Sequence, residues 1–131
     1  MEIVTDTSII IAVLTSAAEK DRLVDITRDS RIIAPASVHW EIGNAFSSLL
    51  KRRLITPPEI AEALEGYEDI PIRFVDVDLS ASLQIAAELS VYAYDAYLIA
   101  CARQHNAPLL TLDHGLARAA KRIGVQVLEV T

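Results

Sequence analysis

Glu2-Ile3-Val4-Thr5-Asp6-Thr7-Ser8 is a short apolar strand pattern that ends on an aspartate and runs straight into a helical one, Ser8 to Leu14. The same figure returns near the C-terminus. Leu109-Leu110-Thr111-Leu112-Asp113 precedes a helical stretch over His114 to Arg122, which Gly124 stops. Between these ends, Arg31 to Ala34 and Ile72 to Val77 also read as strands, and Gln126 to Val130 as a last one. Such short, mostly apolar runs suit parallel strands covered on both faces. Helical patterns separate them. Glu19 to Thr27 is one, and Ser37 to Lys51 is another, with Val38, Ile42, Ala45, Phe46 and Leu49 at helical spacing. Thr56-Pro57-Pro58-Glu59 is a capping box with proline at the first helical position, and Gly66 is placed to end the helix it starts. Ser80 to Leu89 and Tyr94 to Gln104 are apolar on most faces and are expected in the interior. This alternation predicts an α/β fold: a three-layer sandwich with helices on both faces of a four- to five-stranded parallel sheet.

The chain has 131 residues, the size of one compact domain, so a single domain over 1–131 is expected. Its hydrophobic fraction of 52% and mean hydropathy of +0.31 exceed what a small domain easily hides. Some apolar surface should therefore meet another chain, a second copy or a partner. Cys101 is the one cysteine, which excludes an internal disulfide and fits a reducing cytosol; its apolar helical setting reads as a small buried side chain. The longest apolar run, Ile9 to Leu14, is too short to span a bilayer, and Glu2 and Asp6 stand where a signal peptide has Lys or Arg. A cytoplasmic protein without membrane contact is expected.

A formal net charge of −6 argues against loose polyelectrolyte binding, because a nucleic acid is repelled at long range. A phosphate substrate then needs local help. One source is a cation at an acidic cluster; another is Lys51-Arg52-Arg53, or Arg118, Lys121 and Arg122, which read equally as solvated helix ends.

Four acids stand out. Asp6 and Asp113 each follow a strand and precede a helix, which places them outside the carboxyl end of a parallel sheet, where ligands bind. Either can also be a plain N-cap. Glu41 and Asp95 interrupt the apolar sides of their helices, and burying a carboxylate is costly unless something compensates it. Asn44, three residues after Glu41, shares its face and can orient it. A hard divalent cation such as Mg2+ satisfies several converging carboxylates, and phosphodiester hydrolysis needs the charge neutralisation and water activation that such ions supply. Asp6, Asp95 and Asp113 are the expected metal ligands, with Glu41 either ligating or accepting a proton from the attacking water. Of the histidines, only His114, next to Asp113, merits attention. Tyr92, Tyr94 and Tyr97 can stack on an unpaired base, although core packing is the expected role; Trp40 reads as a packing or interface anchor.

Val4-Thr5-Asp6-Thr7-Ser8, Glu41-Ile42-Gly43-Asn44, Tyr94-Asp95-Ala96-Tyr97-Leu98-Ile99-Ala100 and Leu110-Thr111-Leu112-Asp113, in this order, resemble a PIN domain in the form found in VapC toxins. The resemblance covers nearly the whole chain. It implies a Mg2+- or Mn2+-dependent endoribonuclease, the toxin half of a type II toxin–antitoxin pair. It also implies a homodimer, neutralised by a small VapB-like antitoxin whose tail fills a groove of the toxin. Asp6, Glu41, Asp95 and Asp113 fall on the family's acidic positions, and Thr7 or Ser8, Asn44 and Thr111 on polar positions that support the pocket. Gly115, Leu116 and Ala117 offer no further acid where some relatives have one, so a second ion is expected only with the substrate phosphate.

Two other readings compete. A non-catalytic module of the same fold would bind RNA or a protein partner. A receiver-like phosphoacceptor domain would use Asp76 or Asp78, but needs a lysine near a late strand end, and none occurs between Lys51 and Lys121.

Overall fold

A computed structural model describes residues 1–130. Its sheet is parallel, with strands β1 (Glu2–Thr5), β2 (Arg31–Pro35), β3 (Ile72–Val75) and β4 (Leu109–Leu110) in the order β3-β2-β1-β4. Seven helices connect them: α1 (Thr7–Leu14), α2 (Lys20–Thr27), α3 (Ser37–Lys51), α4 (Pro57–Glu68), α5 (Leu79–Leu89), α6 (Ala93–His105) and α7 (His114–Arg122).

Successive strand residues point to opposite faces, and the apolar runs fill both. Val4, Ile33 and Leu109 pack with Val38, Ile42 and Phe46 of α3, Ile85 of α5 and the buried side of α6. Ile3 and Leu110 pack on the other face with Ile9 and Ala12 of α1 and Leu23 of α2. The expected α/β sandwich is therefore observed, with four strands among the described residues.

The expected fifth strand, Gln126 to Val130, is reduced to an isolated parallel bridge between Val127 and Leu109. Its neighbour β4 is too short to support more. After Leu110 the backbone donors of Leu112 and Asp113 are taken by the hydroxyls of Ser8 and Thr111, which ends the strand early. β3 likewise stops at Val75 rather than Val77, because its neighbour β2 ends at Pro35 and turns into α3.

The capping box at Thr56 and Glu59 forms as expected, but Gly66 does not end α4, which continues to Glu68. Interior burial holds for α6, where Ala96, Leu98, Ile99, Ala100, Cys101 and Ala102 are all buried. It does not hold for the whole of α5. That helix buries Ser82, Ile85 and Leu89 and leaves Leu79 and Leu83 exposed, because only one of its sides meets α6. Burial pushes the Cys101 thiol up to about 12, which leaves it inert at neutral pH. No single helix among the described residues is long and apolar enough to cross a membrane.

Candidate active site

The central strand β1 delivers Asp6 to the carboxyl end of the sheet, and its neighbour β4 delivers Thr111 and Asp113 beside it. Asp6 is buried and caps α1, accepting from the backbone N–H of Ile9 at 3.3 Å. Ser8 Oγ donates to Asp6 Oδ1 at 2.6 Å, and Thr111 Oγ1 donates to Asp6 Oδ2 in a short hydrogen bond. The same two hydroxyls accept from the backbone N–H groups of Leu112 and Asp113, each at 3.0 Å. Ser8 and Thr111 thus tie the β1–α1 turn to the β4–α7 turn, and the buried carboxylate is the knot. Burial raises the Asp6 carboxyl above its ordinary value of 3.8, outweighing the hydrogen bonds from Ser8, Thr111 and Ile9; the charge of Asp113 adds to the rise.

Asp113 caps α7, with Oδ1 accepting from the N–H groups of Gly115 at 2.9 Å and Leu116 at 3.2 Å. Glu41 projects from α3, and Asn44 Nδ2 donates to its Oε1 at 2.8 Å, as the three-residue spacing predicts. Asp95 stands in the first turn of α6 and has no hydrogen-bond or ion-pair partner among the described residues. Whatever compensates it is therefore not a side chain among the described residues. Its carboxyl is raised first by burial, then by the negative charges of Asp113, Asp6 and Glu41.

These four carboxylates share one cavity of about 220 Å³, lined also by Thr7, Ser8, Ser37, Val38, Tyr94 and Leu98. Capping and convergence are therefore not rival accounts of Asp6 and Asp113, because each aspartate does both. Among the described residues no three side chains are drawn into a closed metal-ligand set. Asp6, Asp113 and Glu41 are each anchored to their own donors, whereas Asp95 is unanchored, so the acids face one space without forming a chelate.

Several other expectations resolve at this cavity. No lysine, arginine or histidine lines it. Lys51, Arg52 and Arg53 are exposed around the C-terminal end of α3, and Lys121 pairs with Glu129 at 3.6 Å. His114 is exposed at the start of α7, outside the lining. The receiver-like reading loses its acceptors, since neither Asp76 nor Asp78 lines the cavity and Asp78 caps α5 through Ala81 N–H at 2.8 Å. Core packing is wrong for two of the tyrosines: Tyr92 is 87% and Tyr94 52% exposed. Trp40 is also exposed, its ring edge-on to His39, which stacks on Tyr67. The sequence carried no signal for these exposures, because apolar spacing marks a helix without telling which of its sides is covered.

Known structures share this arrangement of strands and helices. PAE2754 from Pyrobaculum aerophilum superposes with a TM-score of 0.71 at 20% identity, over 99% of this chain and 91% of the other. VapBC2 from Rickettsia felis, determined bound to a DNA fragment from its promoter, gives 0.65 at 15% identity over 98% of each chain. VapC20 of Mycobacterium tuberculosis, a toxin that cleaves the Sarcin-Ricin loop, gives 0.60 at 19% identity over 89% of this chain and 94% of that one. No curated protein sequence matches at a significant level. Identities this low establish the fold alone, but the PIN-domain family model matches the sequence itself over residues 3–122, from β1 through the end of α7. With the fold and the sequence match in agreement, the chain belongs to the PIN-domain family.

Proposed function

We propose that the protein is a divalent-metal-dependent ribonuclease and the toxin of a toxin–antitoxin pair, with residues 1–131 forming one PIN domain. The observation that carries this reading is the convergence of four carboxyls on one cavity, one of them, Asp95, raised and unpartnered. An all-oxygen, anionic donor set fits Mg2+ or Mn2+. Asp6, Asp95 and Asp113 would hold the ion, with Glu41 as a further ligand or as a proton acceptor. When bound, such an ion neutralises charge on the phosphodiester and makes the attacking water more acidic.

The chain's own groups have distinct tasks. Ser8 and Thr111 fix both oxygens of Asp6, so this carboxylate is pre-set rather than searching among rotamers. Asn44 holds Oε1 of Glu41 and leaves Oε2 either to hold the ion or to take the proton of the attacking water. Val38, Leu98, Thr7 and Ser37 complete the lining of the cavity. A metal-independent mechanism through a histidine acid–base pair has no support here, since no histidine lines the cavity.

The antitoxin partner and the homodimer belong to the same proposal. A groove of about 770 Å³ runs between α1, α3 and α4, with Ile11, Leu14, Leu49, Ile55 and Ile70 along it, and an amphipathic antitoxin segment would fill it. Likeness to VapBC2 and VapC20 supports this assignment, and with RNA as substrate the protein works in the cytoplasm.

Metal titration with a cleavage assay on single-stranded RNA tests the reading. Cleavage is expected with Mg2+ or Mn2+, and is expected to disappear in Asp6→Asn and Asp95→Asn while circular dichroism stays that of the folded protein. Asn44→Ala should retain cleavage reduced about 10- to 100-fold. Failure to cleave any RNA with either metal would favour the non-catalytic binding module.

A further inference from the structure

Resting on the nuclease reading, the geometry points to Tyr94 as the residue on which an unpaired nucleobase stacks when the adjoining phosphate lies at the acidic cavity. Tyr94 lines that cavity beside Asp95, yet 52% of it is exposed, so its ring borders both the carboxylates and solvent. Tyr97, one helical turn on, meets it edge-to-face, with centroids 6.2 Å apart and planes at 84°. Meeting it at a right angle, that contact supports the ring and covers at most one of its two faces.

Electrostatics favour such a contact. A nucleic-acid site usually takes its affinity from lysines and arginines on phosphates. This cavity has neither, and the chain carries a net charge of −6. A cation at the carboxylates can neutralise one phosphate, but it cannot choose which nucleotide stands next to it. Stacking on an aromatic face is independent of net charge and acts on the base. Tyr94 is the one aromatic side chain in the cavity lining. Tyr92, although 87% exposed and two residues away, lies outside that lining and serves as the natural control.

The test uses the metal-loaded protein and a single-stranded oligoribonucleotide it cleaves, with a fluorescent purine analogue beside the scissile phosphate. Tyr94→Ala should raise KM roughly tenfold or more, the loss of one base–aromatic stack, with a much smaller change in kcat. Tyr94→Phe should restore KM, and Tyr92→Ser should leave it unchanged. Quenching of the analogue should appear on binding to the native protein and to Tyr94→Phe, and vanish in Tyr94→Ala. An abasic nucleotide at that position should cost the native protein about the same factor and cost Tyr94→Ala nothing further.

If the native protein cleaves but KM and quenching are unmoved in Tyr94→Ala, the stacking assignment falls and the nuclease reading stands. An equal loss in Tyr92→Ser would overturn it as well. Absence of metal-dependent cleavage removes the nuclease reading; quenching by Tyr94 then decides base stacking on its own, and no quenching removes it too.

Discussion

Asp95 concentrates the physical tension of the fold. A carboxylate in the first turn of a helix is favoured by the helix dipole, by roughly 0.3–1 kcal/mol. Burial and the charges of Asp113, Asp6 and Glu41 oppose this and raise its carboxyl above the ordinary value. A raised carboxyl binds its proton more tightly in the folded than in the unfolded chain. Stability of the metal-free protein therefore falls as pH rises from the ordinary 3.8 through the raised value, and stays lower above it. Asp95→Asn, uncharged throughout, is expected to melt above the native protein at neutral pH, with the gap closing as pH falls through that window. Because the group is only half-buried, solvent screening keeps the gain to about 1 kcal/mol or less, a few degrees at most. Manganese should reverse the order by stabilising the native protein and not the variant. Scanning calorimetry across pH, with and without the metal, checks both statements. The four acids were legible in the sequence because carboxylates on apolar stretches are rare enough to ask for a reason. Their mutual arrangement was less so: that Ser8 and Thr111 hold the two oxygens of one aspartate depends on β1 and β4 being neighbours.

Periodicity was enough to place β1, β2 and the helical spans, and the cap at Thr56 marked the start of α4 to the residue. What it could not foresee is where tertiary contacts override local punctuation. Gly66 looked like a stop signal, yet α4 runs through it, and a Cβ there would meet Leu14 Cδ2 at an ordinary 3.5 Å. Glycine inside a helix costs about 0.5–1 kcal/mol relative to alanine through backbone entropy. Gly66→Ala is therefore expected to stabilise the protein by roughly that amount, read as a shift in urea midpoint at unchanged slope. Destabilisation would mean that the Leu14 contact is too tight to accept a methyl group. The lost strand at Gln126 to Val130 has the same origin. An apolar run becomes a strand only when its neighbour offers a ladder, and β4, ending at Leu110, offers this segment a single bridge at Leu109.

At the scale of the molecule, the apolar excess in the composition reappears as surface that the chain itself leaves uncovered. Leu79 and Leu83 are 59% and 51% exposed, four residues apart on α5, and with Ala87 they line one side of a shallow surface depression. The opposite side of α5 already packs on α6 through Ile85 and Leu89, so no rearrangement within the chain hides both. Two copies related by a two-fold axis can bring the same stripe against itself, which is how most homodimers close. The native protein is accordingly expected to sediment as a dimer at micromolar concentration. Leu83→Glu would set a charge against the same stripe on the second copy, where desolvation and like-charge repulsion both oppose association. That variant should sediment as a monomer with an unchanged circular dichroism spectrum, since Leu83 contributes little to its own core. A native protein that sediments as a monomer would refute the dimer outright. A Leu83→Glu variant that remains dimeric would move the interface off α5, to one of the other exposed apolar sites such as Trp40 or Leu54.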